Sequence, residues 1–266
     1  MIKPVIAEKP SKETELYDKE WKDFVALYFD NGFLNEEIYT FITLQMDLKS
    51  YNDGKVVYSF IKRILDLSCA TLLLIITLPI LIIISILIKL TSPGPIIFRQ
   101  ERMGRYYQPF TIYKFRTMNE GSKRTVPFMS RTPHLRPLNK ENMNEHKVTK
   151  IGAFLRETGL DELPQLINVL MGNMSMIGPR PLPLDDTATT PKEYYYRLAA
   201  KPGISGLWQA TFRYTRDGML KLSLDCEYVK KRTILFDTYL ILKTVKVVCA
   251  GFARKAKKKD GMTASK

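Results

Sequence analysis

Residues Leu67–Ile88 carry no charge and are mostly Leu and Ile. As a helix, these residues would be about 33 Å long, enough to cross the hydrocarbon core of a bilayer. A buried helix of a soluble core is the alternative, but uncharged runs of this length are the signature of a membrane segment. The run starts too far from Met1, and is too long, for a cleaved signal peptide. Pro79 divides it into halves, Leu67–Leu78 and Pro79–Leu90, each only about 18 Å long as a helix. Proline removes a backbone donor and kinks or breaks a helix. Lys55, Lys62 and Arg63 precede the segment, and Lys89, Arg99, Arg102 and Arg105 follow it. Positive flanks mark the cytoplasmic side. Basic residues at both ends predict a helix that enters at one face and returns to it, with Pro79 as its break, in preference to a kinked single span.

Charge divides the rest of the chain. Of 266 residues, 41 are Lys or Arg and 27 Asp or Glu, a formal net of +14. Such an excess suits polyanionic partners: nucleic acid, anionic lipid or phosphorylated small molecules. Residues 1–54 hold six Lys against eleven Asp or Glu, so the excess lies wholly after them. The three cysteines, Cys69, Cys226 and Cys249, form no CxxC pair, and the two histidines, His134 and His146, both fall in a polar stretch. A disulfide framework and a zinc site are therefore not expected. Chemistry has to rest on carboxylates, Lys and Arg.

The order of elements follows from breakers and periodicity. A polar, partly helical extension is expected over 1–55, with Trp21, Phe24 and Leu27 on a small apolar face, and the membrane segment over 56–92. Ser92-Pro93-Gly94-Pro95 stops the helix. The runs Ile96–Gln100 and Phe110–Arg116 read as a hairpin, with Lys114 and Arg116 on one face and Tyr113 and Phe115 on the other. Residues 119–147 read as a long polar loop. Helical signal resumes at Lys150. A helix is expected from near Asp161, marked by Pro164 and closed by Gly172. Gly178-Pro179-Arg180-Pro181 and Lys201–Gly206 read as rigid turns. Residues 219–250 alternate apolar and basic positions and are expected along a membrane surface. The tail 251–266 is basic, with no fold of its own expected.

Asp161 and Glu162 are the candidate reactive pair. Two adjacent carboxylates can hold a divalent cation, and an aspartate can form a covalent phospho-intermediate. An ordinary acidic helix start is the plain alternative. Lys114 and Arg116 on a strand edge, and Arg180 between prolines, are candidate phosphate clamps, against solvated basic positions.

Taken together, the wording resembles one family. Phe98-Arg99-Gln100-Glu101-Arg102-Met103-Gly104 follows the apolar helix, then Tyr113-Lys114-Phe115-Arg116-Thr117-Met118. Next come Val148–Leu166, containing Arg156-Glu157-Thr158-Gly159-Leu160-Asp161-Glu162-Leu163-Pro164, and then Met174–Pro181 and Lys201–Gly206. The set, over about residues 58–250, is similar to the bacterial sugar transferases, the monotopic polyprenyl-phosphate phosphoglycosyl transferases. That resemblance implies a helix-rich α/β fold: a re-entrant membrane helix plus a compact cytoplasmic catalytic domain (93–250) with amphipathic interfacial helices. It implies Asp161 as nucleophile toward a UDP-sugar, UMP as the leaving group, and polyprenyl (undecaprenyl) phosphate as acceptor. Glu162, with Asp161, would place Mg2+, and Lys114, Arg116, Arg156 and Arg180 would bind phosphate. It places the protein at the bacterial inner membrane, in lipopolysaccharide or exopolysaccharide synthesis, without nucleic acid, and leaves a homo-oligomer open. A non-catalytic, membrane-anchored scaffold with a basic lipid-contacting surface is the alternative. Leu78-Pro79 stands where the family often has Ser-Pro. Leu207-Trp208-Gln209-Ala210-Thr211-Phe212-Arg213 departs from the usual Trp-Ala-Gln-Val-Asn-Gly-Arg, a region that bears on sugar or nucleotide choice. Residues 1–54 stand where larger members carry several membrane helices.

Overall fold

A computed structural model describes residues 55–119, 148–212 and 217–263, with 48–49 and 52. The chain separates into two compact units, 1–53 and 54–266. The apolar face expected around Trp21 and the polar loop with its two histidines lie outside the described residues.

The apolar run forms one helix, α1 (Val56–Thr91), with Pro79 inside it. The helix runs through Pro79 without a gap, so a turn-back at Pro79 is a bend within the helix and not a break between two helices. Proline removes one donor from a 36-residue ladder, and the Leu- and Ile-rich turns on either side keep propagating. Ile75, Ile76, Leu78, Ile82 and Ile83 are all more than half exposed. In water each would forgo roughly half of the ~1.5–3 kcal/mol that full burial supplies, so this face suits an apolar medium.

The opposite face of α1 packs on the rest of its unit on both sides of Pro79. Ala70 and Leu74 join Phe110, Ile112, Leu166, Val169 and Met174. Leu81, Ile84 and Ile88 join Phe115 and Leu155. Polar ties fasten both ends. Tyr58 and Lys62 donate to Asp237 Oδ2 at 2.8 and 2.9 Å, and the Tyr228 hydroxyl donates to Oδ1 at 2.7 Å. Arg63 caps Val169 O and Leu170 O at 2.6 and 3.0 Å. Asp66 Oδ1 accepts from Ser175 Oγ and Met176 N, each at 3.0 Å. At the far end, Arg116 Nη2 donates to Ser92 O at 2.7 Å and to Ser92 Oγ at 2.8 Å.

The expected hairpin forms: β1 (Ile97–Met103) pairs antiparallel with β2 (Pro109–Phe115), Phe98 opposite Lys114. A second, parallel pair joins β3 (Ser175–Ile177) to β4 (Gly203–Ser205). Helix α2 (Lys150–Thr158) starts where Thr149 Oγ1 accepts from Gly152 N at 2.9 Å. It ends at Gly159, whose φ of 79° is the left-handed conformation a C-terminal glycine supplies. A 3₁₀ turn (Leu160–Glu162) leads into α3 (Gln165–Leu170). After β3 come α4 (Leu184–Ala188), a 3₁₀ stretch (Lys192–Ala199), and, past β4, α5 (Leu207–Thr211), α6 (Gly218–Lys231) and α7 (Ile234–Thr263).

The basic stretch after 219 forms two helices of different character. Helix α6 buries Leu222, Asp225, Cys226, Tyr228 and Val229 within the unit. Helix α7 exposes Leu235, Tyr239, Leu242 and Val245 at helical spacing. The tail, expected to have no fold of its own, instead continues α7 as far as Thr263. Its Ala, Arg and Lys residues are strong helix formers, which lets the helix extend.

Candidate active site

Asp161 and Glu162 occupy the 3₁₀ turn between α2 and α3; α3 itself starts at Gln165, about one turn later than the start expected near Asp161. Asn168 of α3 fixes that turn against the hairpin. Its Oδ1 accepts from Tyr113 N at 3.0 Å, and its Nδ2 donates to Thr111 O at 2.7 Å. Lys114, the next residue of β2, is thereby carried to the dyad.

Glu162 Oε1 accepts from Lys114 Nζ and from Arg180 Nη2, each at 3.0 Å. Burial alone would raise the Glu162 carboxyl; Lys114 and Arg180 outweigh it and hold the group at about 2. Glu162 is therefore ionised throughout the physiological range. Asp161 differs, although it is adjacent. It accepts no hydrogen bond among the described residues, and burial, reinforced by the Glu162 charge, pushes its carboxyl up to about 6. Lys114, Arg180 and Arg156 oppose that rise without cancelling it. The result is one ion-paired carboxylate and one carboxylate without a hydrogen bond among the described residues, side by side in a positive setting.

Arg180 is gripped from behind. Its backbone N–H faces the Asp225 carboxylate, 3.3 Å from each oxygen, and its carbonyl accepts from Arg197 Nη2. Arg197 and Asp225 are only 2 and 3 % exposed in their side chains and pair at 2.7 Å. Arg102 Nη1 donates to Pro181 O at 3.1 Å and so holds the same turn from β1. The Arg180 guanidinium lies 5.7 Å from the Trp208 ring centroid, with Lys221 Nζ 5.1 Å from the same ring.

Of the expected phosphate-binding residues, Lys114, Arg180 and Arg156 gather around the dyad; Arg156 Nε donates to Thr117 Oγ1 at 2.8 Å, and its charge acts on Asp161. Arg116 does not gather there. It is buried, and its guanidinium turns to the C-terminal end of α1. Strand β2 ends at Phe115, so strand alternation no longer directs the Arg116 side chain, and a helix end offers unsatisfied carbonyls. Sequence reasoning missed Arg197 and Asp225, and reached Trp208 only as part of the Leu207–Arg213 stretch bearing on sugar or nucleotide choice. No motif reading of a lone buried Arg–Asp pair 28 residues apart points to a neighbour's backbone.

The donor set has room for a small hard cation. Both Asp161 oxygens and Glu162 Oε2 accept no hydrogen bond among the described residues, whereas Oε1 is taken by Lys114 and Arg180. Among the described residues no group of three His, Cys, Asp or Glu side chains forms a metal cage. Two carboxylates with free lone pairs fit Mg2+, which usually keeps waters and takes its remaining oxygens from substrate phosphate.

The family model described as "Bacterial sugar transferase" matches residues 57–251. The chain belongs to this family. The chain is 38 % identical over 194 residues to "Undecaprenyl-phosphate galactose phosphotransferase" of Salmonella typhimurium, covering 71 % of this chain and 40 % of that protein. It is 35 % identical over 238 residues to "UDP-glucose:undecaprenyl-phosphate glucose-1-phosphate transferase" of Escherichia coli, covering 83 % of this chain and 48 % of that one. It is 32 % identical over 192 residues to "Exopolysaccharide production protein ExoY" of Rhizobium meliloti, covering 71 % and 85 %. The chain thus spans about half the length of the first two of these curated relatives and most of the third.

Proposed function

We propose that this sugar transferase moves a sugar-1-phosphate from a UDP-sugar to polyprenyl (undecaprenyl) phosphate through a covalent intermediate on Asp161. The observation that carries the reading is the contrast within the dyad: Glu162 is held by two cations while Asp161 beside it is unengaged and its carboxyl raised. A nucleophile has to keep its lone pairs free, and a site for transferred phosphate has to supply positive charge.

An Asp161 oxygen attacks the sugar-bearing phosphorus of the donor. The bond from that phosphorus to the bridging oxygen breaks, and UMP leaves with the electron pair. The sugar-phosphate then sits on Asp161 as an acyl phosphate. An oxygen of polyprenyl phosphate attacks the same phosphorus, the bond to Asp161 breaks, and the carboxylate is restored. Polyprenyl diphosphate-sugar is the product. Lys114 and Arg180 fix Glu162 and face the phosphate oxygens, and Arg156 adds charge on the Asp161 side. Mg2+, held by Asp161 and Glu162, would neutralise diphosphate charge when bound.

The apolar face of α1 would lie in the bilayer. Because residues before and after Pro79 pack on one unit, and Lys62, Arg63 and Ser92 are all tied to it, a re-entrant course at the cytoplasmic face, with α1 bending at Pro79, fits better than a crossing. The relatives' names, one for undecaprenyl phosphate and one for exopolysaccharide production, support polysaccharide synthesis as the setting, which on this reading takes place at the inner membrane.

UMP release tests the reading. Purified protein in detergent with Mg2+, undecaprenyl phosphate and a panel of UDP-sugars is expected to release UMP with at least one donor, and Asp161→Asn to release none. No release with any donor, from protein that is folded and monodisperse, would contradict the reading.

A further inference from the structure

Arg63 and Lys201 converge on Gly172, and neither contributes to the hydrogen bonds that hold Glu162. Gly172 closes α3 at a φ of 88°, and a methyl group there would lie 3.5 Å from Arg63 Nη2 and 3.8 Å from Lys201 Nζ. The bare glycine therefore leaves open a small space walled by two cations. Arg63 comes from α1, one turn before the charge-free run begins at Leu67, and Lys201 opens the loop leading to β4. Arg63 spends two donors on the end of α3. Lys201 Nζ has no hydrogen-bond or ion-pair partner among the described residues.

The local charge is unbalanced. Burial first, then the positive fields of Arg63 and Arg105, press the Lys201 ammonium below its ordinary value. Asp66 pulls the other way without restoring it. Its Oδ1 is already committed to Ser175 Oγ and Met176 N, with Lys62 Nζ 3.8 Å away. Three cations beside one engaged carboxylate favour an added anion. Phe60, Ile61, Ile64 and Leu65 of the same α1 turns are exposed. The cluster therefore borders apolar surface, the depth at which phosphate groups lie in a bilayer.

We infer that Arg63 and Lys201 beside Gly172, within the positive field of Arg105, bind the phosphate of a bilayer glycerophospholipid, at a site separate from the Asp161–Glu162 dyad. A free phosphate has the same oxygens but no acyl chains to cover Phe60 and Ile64, which is why a lipid is the expected ligand. The inference rests on the membrane reading of α1 and not on the transfer chemistry.

The test uses the full chain. Flotation on neutral phosphatidylcholine liposomes comes first, then native mass spectrometry in detergent with added phosphatidylglycerol, for wild type, Lys201→Gln, Lys201→Arg and the exposed control Lys192→Gln. Wild type is expected to float and to retain one phosphatidylglycerol. Lys201→Gln should weaken retention about fivefold, the worth of one Lys or Arg at an anionic lipid surface. Lys201→Arg should keep it, and Lys192→Gln should leave it unchanged. Equal retention by Lys201→Gln and wild type overturns the site. Displacement of the lipid by millimolar inorganic phosphate makes it a free-phosphate site, and displacement by undecaprenyl phosphate makes it the acceptor's; either also overturns the inference. Failure to float removes the membrane reading and this site with it, while floating without retained phosphatidylglycerol removes the site alone.

Discussion

Lys114 and Arg180 donate to the same oxygen of Glu162, each at 3.0 Å, although one comes from a strand and the other from a proline-flanked turn. That shared oxygen joins the hairpin, the dyad and the turn into one unit, and it leaves Asp161 as the carboxylate with no hydrogen-bond partner among the described residues.

Replacing Glu162 by Gln removes the anion that both cations face. The variant should fold with a loss of about 1–3 kcal/mol, the range for leaving a hydrogen-bonded group poorly paired. It should transfer at least about 100-fold more slowly, in line with losing a positioned electrostatic group. Thermal melting and UMP release measure the two effects. A variant with wild-type turnover would separate the ion pairs from the chemistry.

Asp161 sets the pH dependence in substrate-free protein. Only its ionised form can attack, so kcat/KM should rise about tenfold per pH unit below about 6 and level off above it. Glu162, at about 2, contributes nothing in that range. Stability moves oppositely. Because the folded carboxyl is raised from its ordinary value of 3.8, the folded state holds more protons than the unfolded state between there and about 6. Stability should therefore fall as pH rises through that window, and Asp161→Asn should remove this part of the slope. Urea melts at pH 4, 5 and 6.5 check the sign.

The Arg197–Asp225 pair holds both backbone polar groups of Arg180. Asp225→Ala leaves Arg197 buried and uncompensated and should cost about 3–5 kcal/mol. Asp225→Asn keeps the shape and one acceptor. It should fold but lose turnover more than donor affinity, because Arg180 still carries its charge while its aim is loosened. Equal kcat with Asp225→Asn would make the pair purely structural.

Arg116→Leu should destabilise the junction between α1 and the hairpin by about 1–3 kcal/mol through the lost Ser92 hydrogen bonds. In protein that remains folded, the KM for donor should stay within about twofold, because the guanidinium points away from the dyad. A large rise in KM would return Arg116 to the phosphate site.

How much of this was legible in the sequence depended on how local each cause was. The hairpin, the Thr149 cap, the closing glycines Gly159 and Gly172 and the dyad itself rest on neighbours in sequence, and pattern reading reached all but Gly159 and the Thr149 cap directly. Pro79 pointed to a gap in the helix and there is none: one missing donor is a local rule, and the regular turns on either side carry the helix through it. Arg116 misled because strand alternation applies only while the strand lasts. Arg197 and Asp225 were invisible because their roles arise when distant elements, the 3₁₀ stretch and α6, close on the backbone of Arg180.

The most direct measurement is the mass of the peptide containing Asp161. After brief mixing with a competent UDP-sugar in the absence of polyprenyl phosphate and quenching in acid, that peptide should carry the mass of one sugar-phosphate on Asp161. The adduct should disappear when acceptor is added and be absent from Asp161→Asn. UMP release with an unmodified Asp161 peptide under the same quench, or an adduct on another residue, would contradict the account.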